Sequence, residues 1–194
     1  MAGFDLTCRC GAVHLRVDVP RKGAGMRVVC HCRDCQTAAR VLGAEEFLGP
    51  GAGTDIWQTT PDLLEVVEGA ELLRILRLSP KGLKRWHAGC CETPLMNTLD
   101  NVKLPFVGFV LGRPDPAREA VTGPILGHAF TASAPPGSGG PAKDVNFART
   151  GLGVVTRMIT AYLSGRAKDN RVAALPPPEI RVLSLEERRA ATPT

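Results

Sequence analysis

Seven cysteines constrain this chain more than any other feature, because they fall in three tight groups: Cys8 and Cys10, then Cys30, Cys32 and Cys35, then Cys90 and Cys91. Thiolate is a soft ligand, and a spacing of two or three residues lets one loop deliver several sulfurs to one ion. An odd count argues against a disulfide framework. The first residues have neither the basic start nor the apolar core of a secretory leader, and no apolar run approaches the roughly 20 residues needed to cross a bilayer. The expectation is a soluble, cytoplasmic, metal-binding protein with no membrane partner.

Composition narrows the fold. Gly 21 and Pro 16 in 194 residues exceed an ordinary share, while aromatics are only 5%. That favours many turns and short strands over a helical bundle. Lys and Arg number 24 against 19 Asp and Glu, a net charge of +5 that is scattered along the chain. Basic residues do not interleave with several aromatics as in a single-strand binder, so nucleic acid is not the expected partner.

Periodicity places the elements. Residues 12–19 alternate, with Val13, Leu15, Val17 and Val19 on one side, which predicts a half-buried strand. Short strands follow at 26–29, 55–60, 63–67, 85–87, 95–99, 106–111 and 125–131, with Gly, Pro or Ser bounding those at 55–60 and 63–67. Residues 72–78 are an apolar run that fits a strand or a helix. Short helices are expected at 34–42 and 117–120. Residues 145–165 carry Val155, Met158, Ile159, Tyr162 and Leu163 at helical spacing, and that apolar face is expected to pack on the β body or on a partner. A short extended stretch follows Pro176–Pro178, and Ser184 caps a final helical turn. The expected organisation is a zinc-binding β domain at 1–131, a Pro/Gly-rich linker at 132–144, and a helical extension and tail at 145–194.

The cysteine groups read as two metal sites. Cys30, Cys32 and Cys35 offer three sulfurs, which would leave a tetrahedral zinc one open position for water or substrate. Cys8 and Cys10 offer half of a closed site. His87 and Cys90 offer the other half, making a Cys3His structural zinc. Plainer readings stand beside these. Cys8 and Cys10 can be buried apolar residues of a strand. The three-cysteine loop can hold a structural ion completed by another side chain. His87 can be an ordinary strand histidine. His31 reads as a turn residue between ligands, His14 as solvated, His128 as lining the site or packed in its strand. Arg33 and Asp34 can orient substrate or simply face solvent.

The pattern Cys8-x-Cys10-Gly11, Cys30-His31-Cys32-x-x-Cys35-Gln36, and a cysteine turn ending Thr93-Pro94-Leu95 resembles the glutathione-dependent formaldehyde-activating enzyme family, whose domain the centromere-protein-V proteins share. Gly112 with Asp115 and Pro116, and the stretch Gly127-His128-Ala129-Phe130, resemble later motifs of that family. The resemblance spans residues 5–131 with gaps, as a divergent member. It implies a mainly β, tent-like fold of zinc-stapled antiparallel sheets. It implies that Cys8, Cys10 and Cys90 hold a structural zinc, and that Cys30, Cys32 and Cys35 are active-site ligands for carbon–sulfur chemistry on a glutathione adduct. The chain departs from the family where Cys-x-x-Cys-Gly is replaced by His87-x-x-Cys90-Cys91. A turn that favours a positive φ has lost its glycine. Cys91 is then an alternative ligand with a shifted turn, and one of the adjacent cysteines is expected to be free.

Three functions follow as expectations. The first is a zinc-dependent carbon–sulfur lyase-like enzyme acting on a small thiol adduct. The second is a non-catalytic zinc module that acts through its C-terminal helix, for example as a homodimer. The third is a redox-responsive thiol protein using Cys91 and the Cys32–Cys35 pair.

Overall fold

A computed structural model describes residues 2–193. Along the chain run β1 (Gly3–Thr7), β2 (His14–Asp18), β3 (Met26–Cys30), α1 (Arg33–Val41), β4 (Leu48–Gly49), β5 (Gly53–Thr59), β6 (Leu64–Glu68), β7 (Leu73–Arg77), β8 (Lys84–Ala88), β9 (Thr93–Thr98), β10 (Val107–Val110), α2 (Pro116–Thr122), β11 (Ile125–Ala129), α3 (Phe147–Leu163), β12 (Glu179–Val182) and α4 (Leu185–Ala191). The fold is mainly β with a C-terminal helix, as the sequence predicts. Among the described residues no helix is long and apolar enough to cross a membrane.

Two sheets build the body. The smaller has the order β1-β2-β6; the larger runs β11-β3-β5-β10-β9-β8-β7-β12, with β4 paired to β5. Neighbours are antiparallel except at the two rims, where β11 runs parallel to β3 and β12 parallel to β7. The larger sheet is therefore mixed, while the smaller is wholly antiparallel. The ambiguous run at 72–78 forms β7, a strand.

The alternation seen in β2 is what joins the sheets. Val13, Leu15 and Val17 are fully buried beneath the larger sheet, while His14, Arg16 and Asp18 keep partial exposure. Phe4 of β1 stands edge-on to Trp57 at 5.4 Å and to Phe109 at 6.3 Å. Offset and edge-to-face rings add to the area they bury. Buried Arg27 is satisfied by Asp55 at 2.8 and 2.6 Å and by Glu119 at 3.0 Å, which pins α2 to the larger sheet. A buried guanidinium needs such partners to offset its desolvation.

The C-terminal segments return to this body. Residues 132–144, expected as a linker, are tied down: Gly51 N–H donates to the Ser138 carbonyl at 2.7 Å, and Asp144 Oδ1 accepts from Thr131 N–H and hydroxyl, both at 2.8 Å. Leu183, just after β12, packs with Ala38 of α1, with Leu42 at its C-cap, and with Leu76 and Leu78.

The orientation of α3 goes against one of its two expectations, that its apolar face packs on the β body. Val155, Ile159, Tyr162 and Leu163 are exposed, Met158 and Val154 are half-buried, and Thr150 and Ala161 are the buried ones. Small residues let this face come close to the sheet: a Cβ at Gly153 would lie 3.1 Å from Met26 Sδ. Close backbone approach has won over side-chain hydrophobicity in choosing which face turns inward.

Candidate metal centres

The first centre forms where two tight turns meet. Cys8 directly follows β1, and its carbonyl accepts Gly11 N–H at 2.9 Å, closing the turn that carries Cys10. The opposing turn follows β8, where the Ala88 carbonyl accepts from Cys91 and Glu92 N–H. Arg9 and Thr93 lace the turns together: Arg9 N–H donates to Thr93 Oγ1 at 3.0 Å, and the Arg9 guanidinium donates to the Cys91 carbonyl and, at 2.8 Å, to Glu46.

Four sulfurs result. The Sγ atoms of Cys8, Cys10, Cys90 and Cys91 all lie within 4.8 Å of one another. Separations are 3.2 Å for Cys10–Cys90, 3.5 Å for Cys8–Cys10, and 3.9 Å for both Cys8–Cys90 and Cys90–Cys91. Tetrahedral thiolates about 2.3 Å from an ion are about 3.8 Å apart, so this donor set fits a small divalent metal. Cys91 accordingly falls to about 6: burial pushes it up, but hydrogen bonding from Thr93 and from the Cys10 backbone outweighs that.

His87 lies outside this group. It sits on β8 opposite Arg74 and Pro94, and its Nε2 faces Glu92 Oε2 at 3.2 Å. Burial, more than Glu92, sets its protonation and pushes its pKa down. The sulfur of Cys91 occupies the corner expected for His87, and both adjacent cysteines join the group. The reason is the turn. The left-handed residue is Glu92, at φ +56°, one place after Cys91. The turn has shifted along the chain, and it carries Cys91 inward.

The second centre is built by a strand-to-helix corner. Cys30 is the last residue of β3, hydrogen-bonded in the sheet between Thr54 and Ala129. Cys32 is the N-cap of α1, its sulfur accepting Cys35 N–H at 3.4 Å. Cys35, in the first helical turn, is buried. The three sulfurs lie within 4.8 Å of one another. Hydrogen bonds from the Cys30 and Cys32 thiols, aided by the Arg85 guanidinium 3.8 Å away, hold the Cys35 thiol well below its usual value. Its hydrogen bonds to those sulfurs push the Cys30 thiol up. Cys32 is raised to about 11 although its bond with Cys30 pulls it down, because its bond to Cys35 and burial weigh more. A divalent ion taking all three sulfurs would displace the protons that the Cys30 and Cys32 thiols hold.

The residues between and beside these ligands hold the corner. His31 is fully buried, its Nδ1 2.9 Å from the Gly51 carbonyl and its Nε2 3.1 Å from His128 Nδ1. Gly51, at φ +68°, and Gly53 are required here, because a Cβ on either would press on the His31 ring at 2.9 and 2.7 Å. Gln36 donates to the carbonyls of His31 and Ser133, at 2.8 and 2.9 Å. Asp34 is paired with Arg188 at 3.0 Å. Nothing in the sequence marks Arg85 as a neighbour of these sulfurs. His14 pairs with Asp5, at 3.0 Å.

A cavity of about 600 Å³ opens beside the three cysteines, between the larger sheet and α3. Ile56, Phe106, Phe130, Phe147 and Val154 are among its walls, with Arg85 at its inner end beside Cys35.

The chain belongs to the family described as "Family of unknown function (DUF6151)", whose profile matches residues 2–170. No curated protein matches the sequence. Among solved structures, a crystal structure of a Rhodobacter sphaeroides protein is similar at 22% identity over 63% of this chain and 97% of that one, with a TM-score of 0.40.

Proposed function

We propose that the protein is a zinc-dependent carbon–sulfur lyase-like enzyme acting on a small thiol adduct. Cys8, Cys10, Cys90 and Cys91 would hold a structural zinc that staples the two turns. Cys30, Cys32 and Cys35 would hold a second zinc with its fourth side toward solvent. The observation that carries this reading is the three-sulfur group standing at the wall of an open cavity. Three protein ligands and one free position are the usual composition of a catalytic zinc site. The motif resemblance to the formaldehyde-activating enzymes supports the reaction type. All seven thiols are free, which suits the reducing cytoplasm.

A bound zinc supplies Lewis acidity toward the sulfur or oxygen of the adduct. The protein's own groups do the rest. The corner of β3 and α1 fixes the three sulfurs, and Arg85 offsets the negative charge that three thiolates leave on a divalent ion. In the reaction R–S–CH₂–OH → R–SH + CH₂=O, the carbon–sulfur bond breaks and its electron pair stays with sulfur. The hydroxyl proton ends on the thiol, and nothing is oxidised or reduced.

The test is metal content per chain by elemental mass spectrometry, together with aldehyde release from thiol–formaldehyde adducts. Two zincs in the wild type, one in Cys35→Ser, and loss of turnover in that variant are expected. Zinc content unchanged by Cys35→Ser overturns the reading.

A second reading rests on α3. Leu152, Val155, Ile159, Tyr162 and Leu163 form an exposed apolar stripe without a charged residue. A second copy of the same stripe meets no like charge in a two-fold pairing, so the helix suits a homodimer. Light scattering on wild type and Ile159→Ser tests it: a dimer mass that falls to the monomer supports the contact, and a wild-type monomer rejects it.

A further inference from the structure

We propose that the cavity beside Cys30, Cys32 and Cys35 selects a thiol with an uncharged, apolar body, an aryl or alkyl thiol, over a charged peptide thiol such as glutathione. This rests on the reading of the three-cysteine group as a metal-bound, thiol-accepting site.

The walls carry the argument. At about 600 Å³ the cavity has the size of a small-molecule site. Val28, Ile56 and Phe106 line its sheet side, and Phe147 and Val154 come from α3 on the other. At the mouth, Phe130 and Phe147 are about half exposed, at 50% and 49%, with their rings edge-to-face at 5.5 Å. Two phenyl rings left in water beside a cavity are costly unless something apolar covers them.

The backbone holds those rings in place at a cost. Phe130 is left-handed, at φ +60°, and so is Asn146, at φ +54°, immediately before Phe147. Asparagine tolerates that region, but phenylalanine rarely adopts it, and such strain gathers where surroundings enforce a functional geometry. Here the enforcers are visible. Asp144 holds Thr131, next to Phe130; Asn146 Nδ2 donates to the Leu126 carbonyl at 2.7 Å; and Val145 and His128 exchange backbone hydrogen bonds at 2.9 and 3.0 Å. The phenyl pair is preorganised rather than loose.

The charges of the lining point the same way. Its ionic residues are Arg33, Asp34 and Arg85. Asp34 is engaged by Arg188, and Arg85 faces the Cys35 sulfur. Glutathione brings two carboxylates and an ammonium; Arg33 is left to meet one carboxylate, and the one acidic residue of the lining, Asp34, is already paired. A desolvated charge without a partner is strongly unfavourable.

Cobalt(II)-loaded protein tests this, because thiolate-to-cobalt absorption reports an added sulfur directly. Benzyl mercaptan and glutathione are titrated into wild type, Phe147→Ser, Val154→Glu and Cys35→Ser. Benzyl mercaptan is expected to half-saturate the wild-type shift at a concentration at least about tenfold below that of glutathione. Val154→Glu and the exposed Phe147→Ser are each expected to weaken benzyl mercaptan while leaving cobalt content unchanged. Glutathione binding as tightly as benzyl mercaptan, or indifference to both wall variants, overturns the apolar selectivity alone. An absorption band and cobalt content unchanged by Cys35→Ser overturn the underlying metal-site reading, and this inference with it.

Discussion

His31 Nε2 stands 3.1 Å from Nδ1 of His128, 97 positions further along the chain, and the two imidazoles stack with centroids 5.4 Å apart. With Nδ1–H of His31 given to the Gly51 carbonyl, its Nε2 accepts from His128 Nδ1–H, a pattern that a neutral His128 ring satisfies. Burial, with the neighbouring His31, lowers the His128 pKa and favours that neutral state. The pair fastens the end of β3, where Cys30 lies, to β11, which leads into Phe130.

Gly53→Ala tests that fastening. The new methyl would lie 2.7 Å from His31 Cε1 and closer still to Val29 Cγ1, both packed within the sheet. Overpacking of this kind costs about 1–3 kcal/mol. Urea unfolding should show a lower midpoint with an unchanged slope, and an unchanged midpoint would refute the role given to this glycine.

The identity of the fourth ligand is checked by a pair of variants. His87→Gln should keep both metal equivalents, because its side chain meets Glu92 rather than the sulfurs. Cys91→Ser should weaken the four-cysteine centre and shift the thiolate absorption of cobalt-loaded protein. Metal lost from His87→Gln and kept by Cys91→Ser would reverse the assignment.

Phe4→Ala addresses the joint between the sheets. Its ring is buried against Trp57 and Phe109, and removal leaves a void between layers. Loss of a buried phenyl costs about 3–5 kcal/mol. Calorimetry should show a fall in melting temperature with both metals retained at low temperature.

Asp144 gives the strap before α3 a dependence on acid. The Thr131 backbone N–H, then its hydroxyl, hold the Asp144 carboxyl below its ordinary value. A folded value below the unfolded one means the contribution is present above about pH 4 and fades as pH falls through the folded value. Carboxyl NMR titration should show this depression, and Thr131→Val should return part of it. A normal Asp144 titration would contradict the bonding.

Much of this was legible because its causes are local. Alternation in 12–19 announces β2, and Gly or Pro at the boundaries brackets most strands to within two residues. The cysteine spacings announce both sulfur groups. What was illegible depends on partners distant in sequence. β1 is five residues long and gains its stability from pairing with β2 and from Phe4 on Trp57. Which of three neighbouring side chains, His87, Cys90 or Cys91, turns inward is decided by a positive φ at Glu92, a residue with no preference for it. The inner face of α3 is chosen by how closely Gly153 approaches Met26, which an apolar period cannot report. Arg85 matters only because β8 brings it to a sulfur 50 positions away.

The strand β12 has a consequence beyond its own four residues. It lies along β7, whose Leu73, Ile75 and Leu76 are buried, and it leaves as the outer rim a short run in which Glu179 and Arg181 alternate with Ile180 and Val182. Charged, brief rims discourage edge-to-edge growth, whereas an uncovered apolar strand invites it. The tail therefore acts as a guard on solubility: a chain shortened before Glu179 would present β7 as a template for aggregation, whatever became of its metals.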